Sequence, residues 1–229
     1  MTTTVENAST DMIAVGDEVL KDMLELCDRG EEGWKELWSD DGIFFHTRKG
    51  TDTCAVDIVR CRLILEETDL ATVKAMVTPW LPYRIQWDDI LQVRKCELVQ
   101  ELDKGYRLVH HVTKKRFPLS ARDSVDIVGT ILEPNRVIMV ARSIPTAAPA
   151  PTPDIVRTYQ HIGGYCFCTK GEHDIEFTMF FQCDLKVSAP VFVQKLIDKA
   201  KPRFMCDKVK SLRRAIKTMH IDPEHLEKW

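Results

Sequence analysis

The sequence predicts an α+β fold: a curved antiparallel sheet packed against a long C-terminal amphipathic helix. Three observations carry that expectation. Apolar residues recur at helical spacing near both ends of the chain, six β-rich segments run in succession between residues 90 and 185, and turn residues separate them at hairpin distances. Sequential hairpins that continue up to the last helix favour one domain, residues 12–220, with short polar tails at 1–11 and 221–229.

Each element has a local reason. Residues 11–29 hold Ile13, Val15, Val19, Leu20, Met23, Leu24 and Cys27 close to one helical face. The stretch GWKELWSDDGIFFHTRKG at 33–50 reads as a turn and a short helix, then a strand from Ile43 that turns over at Lys49-Gly50. A β-rich run, CAVDIVRCRLIL, ends at Leu65, and Thr68 is the expected N-cap of a helix of about ten residues that stops before Pro79. Strands follow at 90–99, 105–112, 120–132, 136–144, 155–169 and 173–185, with EPNR at 133–136 and Lys170-Gly171 as turns. Residues 190–220 return to helical period in two stripes. Val193, Ile197, Ala200 and Phe204 form the first, and Met205, Val209, Leu212, Ile216 and Met219 the second, with Pro202 between them as an expected kink.

The strands carry two apolar faces. Phe177, Met179 and Phe181 alternate with Thr178, Phe180 and Gln182, and Val137, Met139 and Ala141 alternate with Ile138, Val140 and Arg142. Such a sheet is covered by helix on one side and on the other by a ligand or by an ordinary packed core. The pattern alone leaves both open.

Composition excludes several classes. A net charge of −3 over 229 residues does not supply the basic excess of a nucleic-acid-binding chain. The longest stretch without Asp, Glu, Lys or Arg covers residues 158–169, too short for the roughly 20 apolar residues of a membrane span. MTTTVENASTDM lacks the basic and apolar regions of a signal peptide, so a cytoplasmic location with eight reduced cysteines is expected. Only Cys166 and Cys168 are close together, as C-x-C rather than a zinc pair, and two thiols on one strand face read as wall residues. His46, His110, His111, His161 and His173 lie in or beside strands without ligand spacing or a nucleophile turn. No metal, cofactor or catalytic residue is expected.

YRIQWDD at 83–89, FPLSARDSV at 117–125, PDIVRTYQHIGGYC at 153–166 and the closing amphipathic helix, in that order, resemble the START (steroidogenic acute regulatory protein-related lipid transfer) family, and residues 33–50 resemble the opening of such a domain. The resemblance spans about residues 12–219. It implies a helix-grip fold: the curved sheet wraps a hydrophobic tunnel that holds one lipid, the C-terminal helix closes it, and no bond is made or broken.

Several site residues follow from the resemblance. In phospholipid-binding members an Arg and an acid at the positions of Arg84 and Asp88, around Trp87, face the tunnel and engage the head group; a local ion pair fixing the loop is the alternative. Arg122-Asp123, the RDSV form of the family's motif, reads as a bidentate pair anchoring strands, and Arg157 as structural. The aromatic cage positions of choline-binding members fall on His111, Ser124 and His161, none of which offers a good ring face, which argues against phosphatidylcholine. The buried acid and arginine of sterol-binding members fall on Val109 and Val128. His111 and His161, if they face the tunnel, offer neutral hydrogen bonds to a hydroxyl or carbonyl, and Phe181 lies on the expected inner face.

Residues 190–220 hold nine Lys or Arg against Asp198 and Asp207, an excess of seven positive charges, so the remainder of the chain stands at −10. That face suits transient contact with an anionic membrane through Lys208, Lys210, Arg213 and Arg214, or it is a solvated outer face. The expected function is a monomeric carrier that moves one lipid between membranes, gated by this helix and by the 129–135 hairpin at the tunnel mouth. A lipid sensor or partner-binding module of the same fold is the alternative.

Overall fold

The computed structural model describes residues 2–51, 54–117, 119–146, 149–188 and 190–226, with side chains for all of these but residues 2–10, 91–95, 191–195, 198 and 199. The chain opens with helix α1, Thr2–Asp28. It starts nine residues before the apolar stripe at 11–29, within the expected tail, because TTTVENAST has no apolar periodicity to announce a helix.

The expected short helix is instead strand β1, Lys35–Asp40, paired with β2, Ile43–Arg48. The two residues between them, Asp41 and Gly42, have φ of 50° and 71°, the primed hairpin turn whose twist matches its strands. Asp-Gly between apolar segments was the signal for it. Strand β3, Ile58–Leu65, follows, then helix α2, Leu70–Val77. The N-cap of α2 is Asp69, one residue beyond Thr68, with its carboxylate accepting from the Thr72 amide at 2.7 Å. A single turn, α3, spans Arg84–Trp87.

The remaining strands are β4 (Leu91–Glu101), β5 (Arg107–Thr113), β6 (Arg122–Glu133), β7 (Arg136–Ser143), the two-residue β8 (Val156–Arg157), β9 (Tyr159–Lys170) and β10 (Asp174–Asp184). Helix α4, Val191–Thr218, runs on through Pro202. The segment after it is not a loose tail: Ile221 is buried, and His225 Nδ1 lies 2.7 Å from the Tyr83 hydroxyl.

One sheet contains every described strand, in the order β1-β2-β3-β10-β9-β7-β6-β5-β4, with β8 parallel beside β6 and the other described pairs antiparallel. The β3–β10 ladder joins the N-terminal strands to the later meander. Alternation along the strands divides the sheet into two buried faces. On one, Ile138, Val140, Ile162 and Phe180 pack under Val19, Met23 and Leu26 of α1. On the other, Val137, Met139, Phe167, Phe177 and Met179 share a cluster with Met205, Cys206, Val209 and Leu212 of α4. The helix expected to cover one face is therefore α1, and the second face lies toward α4. At roughly 1.5–3 kcal/mol for each large apolar side chain buried, the two clusters account for why both helices stay on the sheet.

Candidate lipid-binding cavity

A cavity of about 240 Å³ lies between the second sheet face and α4. Its apolar wall includes Val128, Met139, Tyr165, Met179, Phe181, Phe204 and Met205, and its polar groups include Arg84, Asp88, His111, Ser124, Asp126, Arg122, Thr158, Gln160 and Lys208. Exposed Lys114, Arg116 and Ser120 also line it, so it reaches the surface between the β5–β6 loop and α4. Arg116 bridges that gap: its guanidinium sits 4.6 Å from the Phe204 ring centroid and 2.7 Å from the Asp207 carboxylate.

The turn α3 places the first polar cluster. Trp87 donates its indole N–H to the Met76 carbonyl at 2.7 Å, and the Asp88 amide closes the turn on the Arg84 carbonyl at 2.9 Å. Arg84 and Asp88, 8% and 2% exposed, then face the cavity. Asp88 Oδ2 is shared by Lys208 Nζ at 3.0 Å and Arg84 Nε at 3.5 Å, and its Oδ1 accepts from the Ile90 amide at 3.3 Å. Burial pushes the Asp88 carboxyl up, but Lys208 and Arg84 outweigh it and hold the group below the usual carboxylate range. Both cations lie 5.9 Å from the Tyr165 ring centroid.

A second cluster stands on β5 and β6. Cys96, His111 and Ser124 are successive cross-strand partners, and Asp126 follows Ser124 on the same face. Asp126, 1% exposed, accepts from Ser124 Oγ at 2.7 Å and Ser143 Oγ at 2.6 Å and pairs with His111 Nδ1 at 3.1 Å. Burial works against an imidazolium at His111; the Cys96 sulfur and the Asp126 carboxylate outweigh burial and the repulsion of Arg84, so its pKa is pushed up to about 9. A pKa raised on folding stabilises the fold fully below the unfolded value of about 6.5 and loses that contribution as pH rises through about 9. We therefore expect the free energy of unfolding to fall across that window, and the fall to shrink in His111→Gln. A slope that is the same in both proteins would contradict this protonation state.

The expected site residues divide. Arg84, Asp88, His111, Ser124, Val128, Phe181 and Lys208 line the cavity. Trp87, Val109 and His161 are not among its lining residues. Trp87 and Val109 belong to the packed core. His161 is turned away by a bulge where β10 shifts register between Gln182 and Cys183; Gln160 lines the cavity instead, and the His161 carbonyl accepts from Arg142 Nε at 2.7 Å. No alternation pattern reveals a one-residue shift of that kind.

Arg122 and Asp123 do not form the bidentate pair expected of them, because adjacent strand residues point to opposite sheet faces. Asp123 is held bidentately by Arg157, with Nε and Nη2 both at 2.8 Å, and also meets His110 Nε2 at 2.9 Å. Arg122 points to the cavity, donating from Nη1 to Ser120 Oγ at 2.9 Å and from Nε to the Leu185 carbonyl at 3.4 Å. On α4, Lys210 pairs with Asp40 at 2.5 Å, Arg213 with Asp41 at 3.0 Å, and Arg214 donates to Ser211 Oγ at 3.0 Å. Lys208 turns inward, unlike the outward face read from its charge. None of the described residues of the 129–135 hairpin lines the cavity; Arg136 at its end pairs with Asp28 of α1 at 2.7 Å. The loop at the mouth is the β5–β6 loop. Cys166 of the C-x-C faces α1, not the cavity, and among the described residues no group of three His, Cys, Asp or Glu is placed to hold a metal.

A profile of the START domain matches residues 15–218. The chain belongs to the START family. Among solved structures, human StAR-related lipid transfer protein 5 superposes with a TM-score of 0.82 at 23% identity, covering 93% of this chain and 99% of that one. Human STARD10 gives 0.70 at 19% identity over 83% and 77% of the two chains, and the lipid transfer and protein localization domain of human StarD13 (DLC2) gives 0.67 at 17% over 88% and 98%. These likenesses show the fold, the curved sheet closed by a C-terminal helix. No curated protein sequence matches the chain significantly. Within this START domain no described helix is long and apolar enough to cross a membrane.

Proposed function

We propose that this START domain carries one amphiphilic lipid in the cavity between its sheet and α4 and exchanges it at membrane surfaces without covalent chemistry. The observation that carries the reading is the cavity itself, apolar along Met139, Tyr165, Met179 and Phe181 and ending in ordered polar groups. An apolar wall dissolves the tail, and fixed donors beside it orient a head group. Exchange requires the mouth to open, and the Arg116 contacts to Phe204 and Asp207 are what must loosen.

The membrane contact falls at that mouth. Phe117 is 88% exposed beside Lys114, Lys115 and Arg116, and Leu196 near the start of α4 is 54% exposed. A surface cleft of about 330 Å³ next to them is lined by Lys114, Lys115, Arg116, Lys208, Lys210 and Arg214 with only Asp89 and Asp207 opposing. An exposed ring among cations fits an anionic bilayer, where the ring enters the interface and the cations meet phosphates. Because Lys210 and Arg213 are already tied to Asp40 and Asp41, the loop contributes more than the polar face of α4.

The test is transfer of a fluorescent lipid between donor and acceptor vesicles. Wild-type protein should accelerate transfer, more so with anionic acceptors, and Phe117→Asp should slow it about fivefold or more with an unchanged melting temperature. Binding without accelerated transfer would place the domain among lipid sensors, and a rate indifferent to Phe117 and to anionic lipid would overturn the docking surface.

A further inference from the structure

We infer that the tunnel selects an amphiphile bearing a single anionic head, such as a carboxylate, on one compact apolar body; this rests on the reading of the cavity as a lipid site. The cavity wall holds Arg84, Arg122 and Lys208 in its interior, with Asp88 and Asp126 as the acids beside them. Lys114 and Arg116 are at the mouth, where water screens them. The interior imbalance is the informative part, because buried charges are ordinarily paired.

Two places leave positive charge uncompensated. Arg84 and Lys208 share one carboxylate, Asp88, and the longer contact is that of Arg84; among the described residues it is the only hydrogen bond the guanidinium makes. Among the described residues Arg122, 8% exposed, donates only to neutral oxygens, those of Ser120 and Leu185. Burial pulls the Arg122 guanidinium below its ordinary value. Asp126 does not make up the deficit, since His111, Ser124 and Ser143 already engage it. An anionic head entering the tunnel supplies the missing charge, and guanidinium binds carboxylate oxygens with charge-assisted hydrogen bonds.

The same features reject other heads. A quaternary ammonium would meet like charge at Arg84 and Lys208, whose nearby ring, Tyr165, is already faced by both. The volume of about 240 Å³ lies below the roughly 300–1,000 Å³ of sites for drug-sized ligands, which suits one compact apolar body rather than two acyl chains.

Isothermal titration of the full chain with laurate and with dodecanol, equal in chain length and different in charge, tests the inference, with phosphatidylcholine vesicles as a third probe. Laurate should bind at least about tenfold more tightly than dodecanol. Arg84→Gln or Arg122→Gln should reduce that preference to below about threefold, chiefly by weakening laurate binding. Arg122→Lys, which keeps the charge, should retain the preference and controls for loss of fold. Equal affinities for the two amphiphiles, or a preference untouched by both glutamine variants, would overturn the anionic-head inference while leaving the carrier reading intact. If none of the three probes binds, the carrier reading fails and the inference with it.

Discussion

Asp88→Ala is expected to destabilise the protein by about 3–5 kcal/mol, the cost of leaving buried cations without their counter-ion. The carboxylate side chain is 1% exposed and is shared by Lys208 and Arg84. Removing it places two positive charges in an apolar cavity with no acid between them. Urea unfolding measures the loss. The variant Lys208→Met in the Asp88→Ala background should recover part of it, because one of the two orphaned charges is gone, and a double-mutant cycle isolates that coupling. The same pairing sets a pH dependence. A carboxyl held below its unfolded value of about 3.8 stabilises the fold above that value and loses the contribution as pH falls through the lower, folded one. An Asp88→Ala variant within 1 kcal/mol of wild type would mean that Arg84 and Lys208 find water or other partners, and the polar end of the cavity would need redrawing.

Gly164→Val should be at least as costly, above about 4 kcal/mol, which is rare for one substitution. Gly164 has φ of 152° on β9, and a Cβ there would lie 2.1 Å from the Met139 carbonyl oxygen and 2.9 Å from Val140 Cα. Both are backbone of the adjacent strand β7, so the ladder itself must part. Gly163 is the internal control. Its added Cβ would meet the Gln160 side-chain amide at 2.4 Å, a flexible group that can swing aside. Gly163→Ala should therefore cost markedly less, and soluble yield and urea midpoint should rank the variants Gly163→Ala, then Gly164→Val. Equal costs would contradict the close packing of β9 on β7 at Gly164.

Much of the architecture was legible because it follows from period. Alternation at Phe177–Phe181 and Val137–Ala141 announced two buried faces, and the stripes at 11–29 and 190–220 announced the helices that cover them. What period could not supply was orientation at irregular points. The bulge beside Gln182 exchanged His161 for Gln160 at the cavity wall. Net charge on α4 concealed that Lys208 is drawn inward by Asp88, because a helical wheel does not know that an acid waits inside the sheet. What marks strand β1 in the sequence is the Asp41-Gly42 turn after it rather than an alternation of its own. Asp126 carries a quieter signal: an acid within SVDIV, two residues from Ser124 on the same strand face, points to a buried polar network.

Native mass spectrometry of the full chain after incubation with a mixed lipid extract decides whether one amphiphile occupies the cavity between the sheet and α4. A complex shifted by the mass of a single lipid, lost when Met139→Trp and Met179→Trp fill the cavity, is the result expected. A chain that stays unliganded, or that binds equally well with the cavity filled, would contradict it.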